Sequence, residues 1–92
     1  MLVFSSCVIL TPHENFKHNM QANIGNKVDD PSSVLMRYRQ YVYDSKVLKN
    51  GNIETEYRPI IRCRVFFEID VKTNIIIGWR FEGDEKDCII VP

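Results

Sequence analysis

Ninety-two residues make one domain, near the lower limit at which a hydrophobic core sustains itself. Hydrophobic residues make up 45% and aromatic residues 11% of the chain, which excludes an intrinsically disordered protein. Twelve basic residues cancel twelve acidic ones, so no global field draws in nucleic acid or an anionic surface, and no apolar run is long enough to span a bilayer.

The chain opens on Leu2-Val3-Phe4-Ser5-Ser6-Cys7. Small residues just before a cysteine, behind an apolar run, resemble a bacterial lipobox. There the peptidase needs small side chains beside the bond it cuts, and the cysteine thiol is nucleophilic enough to take a diacylglycerol. Two departures stand out: Phe4 occupies the usual leucine position, and six residues before Cys7 leave no room for a basic and a full apolar region. An export signal would have to begin upstream of Met1. On this reading residues 1–10 are a signal remnant and tether, Cys7 carries the lipid that attaches the protein to the membrane, and residues 11–92 form a single domain. Val8 rather than aspartate follows Cys7, which by enterobacterial sorting rules implies the outer membrane. The alternative is a short apolar strand with a buried thiol.

Thr11-Pro12-His13-Glu14 reads as a capping box with proline at the first helical position. Phe16, Met20 and Ile24 recur every four residues as a narrow apolar stripe, and Gly25 suits the residue that closes a helix. This predicts a helix from Pro12 to Asn23 or Ile24. His13 and His18 fall on different faces of it, as solvated side chains rather than a metal pair.

Asn26 to Ser33 is a loop around Pro31; from Val34 onward β-formers dominate, and residues 35–48 can be read as helix or strand, with tyrosines and valines favouring extended chain. Asn50-Gly51 predicts a two-residue hairpin loop that sets Leu48 opposite Ile53. Pro59 marks a bend or an edge position. Then come two alternating runs, with Cys63, Val65, Phe67 and Ile69 on the inner face of one and Ile75, Ile77, Trp79 and Phe81 on the inner face of the other. Pairing Asp70 with Asn74, the latter left-handed, opposes Phe67 to Ile77 and Val65 to Trp79. On the outer face it opposes Arg62 to Glu82, Phe66 to Gly78, and Arg64 to Arg80, with Glu54 or Glu56 needed to relieve that like-charge pair.

Three cysteines are odd in number for a disulfide protein. The economical partition is a Cys63–Cys88 disulfide, with Cys7 kept for another fate. Such a bridge would stabilise so small a core by roughly 3–4 kcal/mol on the chain-entropy model. Three reduced, buried thiols are the alternative.

These elements assemble into an α+β fold, an N-terminal helix packed on a small antiparallel meander sheet as a two-layer sandwich, with Phe16, Met20 and Ile24 covering Phe67, Ile77 and Trp79. The FSSC start, the helix ending Ile24-Gly25, NGNIETEY, CRVFFEID followed by IIGWRFEG, and the last cysteine resemble a family of small proteobacterial lipoproteins, most strongly over residues 50–88. More distantly the chain resembles the BamE (SmpA, OmlA) type of outer-membrane lipoprotein, in which short helices pack on a three-stranded meander beside the machinery that folds outer-membrane β-barrels. Met20 and Gly25 are closer together than in that type, and its binding residues have no counterpart here. The resemblance implies a lipid-anchored periplasmic protein, with Cys7 as the one residue carried over.

The expected function is a non-enzymatic envelope module that binds a protein partner through the charged outer face. Its candidate residues are Arg62, Arg64, Phe66, Arg80, Glu82 and Tyr57, with Glu54, Glu56 and Glu68 around them. No HExxH, GxSxG or CxxC motif and no glycine-rich phosphate loop occurs, so neither catalysis, a metal nor a cofactor is expected. The competing reading is a cytosolic protein-interaction domain with reduced cysteines.

Overall fold

The computed structural model describes residues 10–91, so Cys7 and the lipid site expected there lie outside the described residues. Helix α1 spans Pro12–Gln21. Its capping box closes as expected: Thr11 Oγ1 accepts from the Glu14 N–H at 3.1 Å, and Glu14 Oε1 accepts from the Thr11 N–H at 3.0 Å. The helix stops before Asn23 because its end tightens into three-residue bonds, Asn23 N–H to Met20 O and Ile24 N–H to Gln21 O, both 3.1 Å. Gly25, at φ +93°, then turns the chain.

The stretch after Pro31 departs from the extended expectation. Val34–Arg37 form a helical turn, α2, and Arg39–Tyr41 a 3-10 turn. At α2 one local and one distant cap override the β preference of valine. Ser33 Oγ accepts from the Leu35 N–H at 3.2 Å, and the buried Asn23 amide oxygen accepts from the Val34 N–H at 2.8 Å. Val34 and Leu35 gain burial in the core by this turn.

Four antiparallel strands follow in sequence order: β1 Val42–Val47, β2 Ile53–Ile60, β3 Cys63–Ile69 and β4 Ile76–Glu82. The first hairpin has a three-residue loop rather than two. The Leu48 N–H bonds Asn52 O at 2.8 Å, and the Gly51 N–H bonds Leu48 O at 2.9 Å. Asn50 Oδ1 accepts from the Asn52 N–H at 3.0 Å, and this turn needs a left-handed residue only at Gly51, φ +90°. Val47, not Leu48, therefore faces Ile53. Pro59 sits in the irregularity between Tyr57 and Ile60, where no regular ladder donor is needed.

The β3–β4 hairpin keeps the expected left-handed Asn74, φ 63°, but its register differs by two residues. Phe67 faces Trp79 and Val65 faces Phe81, while Ile69 faces Ile76. Ile77 is the extra residue of a β-bulge. It is 47% exposed, whereas Ile76 is fully buried, the reverse of the expected facing. The chain after α1 gives a physical reason. The Gly25 N–H bonds Ile76 O at 2.8 Å, the Ile76 N–H bonds Asn26 O at 2.9 Å, and the Val28 N–H bonds Asn74 O at 3.0 Å. These bonds lace residues 25–28 onto the start of β4 and fix Ile76 inward.

The result is one helix packed on a four-stranded antiparallel sheet, a small α+β fold. Phe16 and Met20 are buried in the core with Phe67, Val65 and Ile76, and Ile24 packs against them. Phe16 meets Trp79 and Phe81 edge-on, with ring centres 5.9 and 5.6 Å apart. Ile77 is not under the helix. His13, expected to be solvated, is half-buried: its ring lies against Phe81, and its Nδ1 donates to the Cys88 carbonyl at 2.8 Å. The C-terminal tail is further pinned by Ile90 N–H to Pro12 O, 3.0 Å, and by Asn15 Nδ2 to Ile90 O, 3.1 Å.

Candidate functional site

Strand alternation places Glu54, Glu56 and Arg58 of β2, Arg64, Phe66 and Glu68 of β3, and Gly78, Arg80 and Glu82 of β4 on the face away from α1. The shifted register changes who faces whom. Arg64 lies opposite Glu82, and Phe66 lies between Glu56 and Arg80. The expected Arg64–Arg80, Arg62–Glu82 and Phe66–Gly78 oppositions do not occur: the turn pairs Asp70 with Ile75, one residue on, and the bulge at Ile77 adds a second. The like-charge opposition on this face is instead Glu54 to Glu68, relieved by Arg80 and Lys46 on the first and by the Asn50 and Asn52 amides on the second.

The side chains form a continuous ion-pair chain. Arg64 grips Glu56 in bidentate fashion, Nε to Oε2 at 2.9 Å and Nη2 to Oε1 at 3.1 Å, and reaches Glu82 with Nη1 at 3.2 Å. Glu82 accepts from Arg80 Nη1 at 2.8 Å, and Arg80 turns its remaining edge to Glu54 at 3.3 and 3.4 Å. Lys46 joins from β1, 3.6 Å from Glu54, and Arg58 joins Glu56 at 2.7 Å. Glu54 and Glu56, named as candidate relief for the arginines, both serve them.

Phe66 lies beneath this lattice. Arg80 and Arg64 stand 4.0 and 5.1 Å over its ring, and the side chain expected to be an exposed contact is only 7% exposed. The Arg64 hydrogen bonds hold the Glu56 carboxyl far below its ordinary range, at about 2, against the opposing cost of burial. The Glu82 and Glu54 carboxylates raise Arg80 in the same way. Glu68 is lowered by the Asn52 and Asn50 amides, which donate to Oε2 at 2.9 and 3.0 Å.

Two expected members are elsewhere. Arg62 is exposed in the turn between β2 and β3, outside the lattice. Tyr57 faces Val65 on the helix side, is 5% exposed, and lines a cavity of ≈ 430 Å³ with Met20, Asn23, Val34 and Tyr38. Burial pushes its hydroxyl up to about 12. In the other direction, sequence reasoning missed Asp44, Ser45 and Lys46, which close a groove of ≈ 180 Å³ against Glu54, Glu56, Arg64 and Phe66. Parity in β1 would have found Asp44 and Lys46 only with the three-residue loop, since the expected two-residue loop sets Ser45 opposite Glu56 instead.

Cys63 and Cys88 meet where the tail crosses the end of β3, with Cα atoms 5.2 Å apart, sulfurs at disulfide distance and both residues fully buried. Gly83 lets them approach. A Cβ there would stand 2.5 Å from the Arg62 carbonyl oxygen and 3.3 Å from Cys88 Sγ, and φ is +142°.

Chemically, the face offers arginine forks and carboxylates already engaged with one another, which suits recognition of a polar surface. Among the described residues no three His, Cys, Asp or Glu side chains cluster as a metal site, and no helix is long and apolar enough to cross a membrane. No protein-family model, curated protein or solved structure matches the chain.

Proposed function

We propose that this chain is a non-enzymatic, disulfide-locked cell-envelope module, anchored to the bacterial outer membrane by lipid on Cys7, that binds a protein partner through the Arg64, Arg80, Glu82 face. One observation carries the reading. The two later cysteines meet in the core while Cys7 is left for another use, and buried disulfides belong to oxidising compartments. The lipobox-like start and the resemblance to BamE-type lipoproteins supply the anchor and the setting. The planar guanidiniums of the sheet face supply the recognition chemistry.

The test is expression in a Gram-negative host with its native upstream reading frame, followed by fractionation and intact-mass measurement. The reading expects a membrane-associated product that takes up labelled fatty acid, loses the label in Cys7→Ala, and lacks two hydrogens on peptides holding Cys63 and Cys88. An unacylated, fully reduced cytosolic product would overturn it in favour of a cytosolic interaction domain. In a pull-down from envelope extract, Arg64→Glu/Arg80→Glu should lose a partner that the parent retains.

A further inference from the structure

We propose that β1 is a self-pairing edge: two copies of this chain join β1 to β1 antiparallel about Ser45, so that Asp44 of each faces Lys46 of the other. The inference is independent of compartment and of the sheet-face partner. β1 is the outermost strand of the sheet, and all its residues after Val42 are exposed. Among the described residues, nothing pairs with its outer side.

Hydrogen-bond parity and charge together select the register. Leu48 bonds across to Asn52, so by antiparallel alternation Lys46 and Asp44 also point their backbone groups at β2, while Ser45 and Val47 point theirs outward. A second strand must therefore match outward residues with outward residues. Sliding the copies by the allowed steps of two puts Asp44 opposite Asp44, Ser45 opposite Ser45, or Lys46 opposite Lys46. The first and last bring like charges face to face. The middle register brings two Asp44–Lys46 pairs together at non-hydrogen-bonded positions, where side chains approach closest. Tyr43 is the extra residue of a bulge and packs against Arg58, so the regular ladder of this register is centred on Asp44 to Lys46.

The isolated edge carries stopgaps that this pairing replaces. The outward Ser45 N–H is taken by its neighbour's carboxylate, Asp44 Oδ1, at 2.8 Å, and Lys46 reaches Glu54 only at 3.6 Å while 67% exposed. Pairing exchanges the first for a ladder bond and gives Lys46 a second carboxylate. The two-fold operation makes the contact isologous, so one favourable pair is always two.

Sedimentation equilibrium of the full chain carrying Cys7→Ser, unlipidated and with the Cys63–Cys88 bond intact, tests this. The parent should dimerise. Asp44→Lys and Lys46→Asp should each weaken the dimer at least about tenfold, and the double exchange should restore it to within about threefold. A crosslink gives a second readout that needs no charge change. Ser45→Cys should oxidise to a covalent dimer, since opposed hydrogen-bonded residues lie about 5.5 Å apart at Cα, within disulfide reach. Lys49→Cys, in the turn, should not. A parent that stays monomeric at about 1 mM, single exchanges that dimerise like the parent, or equal crosslinking at positions 45 and 49 would each overturn the proposal.

Discussion

The guanidinium carbon of Arg80 stands 4.0 Å from the centre of the Phe66 ring, on the face of the sheet that has no helix above it. A sheet face without a covering layer would ordinarily leave that phenyl ring in water. Here two arginine planes, tethered to Glu54, Glu56 and Glu82, cover it. Phe66→Ala should lower the unfolding free energy by about 3 kcal/mol. Arg80→Met, which keeps the stem and loses the charge, should cost about 1 kcal/mol. Urea titration measures both, and a Phe66→Ala variant as stable as the parent would show that the ring contributes no packing.

Glu56 makes stability depend on acid. Its folded value, about 2, lies below the ordinary 4.5, so the unfolded chain binds the proton more readily. The contribution is therefore complete above about pH 5 and is lost as pH falls towards about 2. Melting temperature followed over that range should fall for the parent and fall less steeply for Glu56→Gln. Parallel curves for the two proteins would remove Glu56 as the cause.

Gly83 should tolerate no side chain. Gly83→Ala places a methyl group against the Arg62 carbonyl at a backbone angle that disfavours L residues, and should cost about 2 kcal/mol or more. Removing both sulfurs with Cys63→Ser/Cys88→Ser should cost about 3 kcal/mol by releasing the denatured chain. Thermal melts with and without reductant check both. A Gly83→Ala protein that melts with the parent would mean the tail relaxes freely.

Phe67 and Trp79 face each other across β3 and β4, yet they should not be equivalent. Phe67 is fully buried, whereas Trp79 keeps its indole N–H at the surface, donating to Gln21 Oε1 at 3.0 Å. Phe67→Ala should cost about 4 kcal/mol, and Trp79→Ala clearly less. Chemical denaturation of the pair decides, and the reverse order would contradict the assigned facing.

Much of this was legible because it is local. The Thr11–Glu14 box, the Phe16/Met20 stripe, left-handed Asn74 and the inward parity of Cys63 to Ile69 each depend on neighbours in sequence. What escaped depends on distant partners. Nothing near Ile76 announces that Gly25 to Val28 will bond to it, and that contact accompanies the longer turn and the bulge, which together shift β4 by two residues. From that shift follow the true opposition of Arg64 to Glu82 and the covering of Phe66. Tyr57 escapes for a related reason: the charges on either side of it in β2 make a buried tyrosine read as surface. The helical turn Val34–Arg37 escaped because one of its caps, Asn23, comes from another element.

The lacing of residues 25–28 onto β4 has a bearing on stoichiometry. A sheet open along both margins can recruit copies without end and grow into a fibril. With one margin occupied at its start by residues 25–28, growth by strand addition is left the other side, and whatever joins there finishes the assembly.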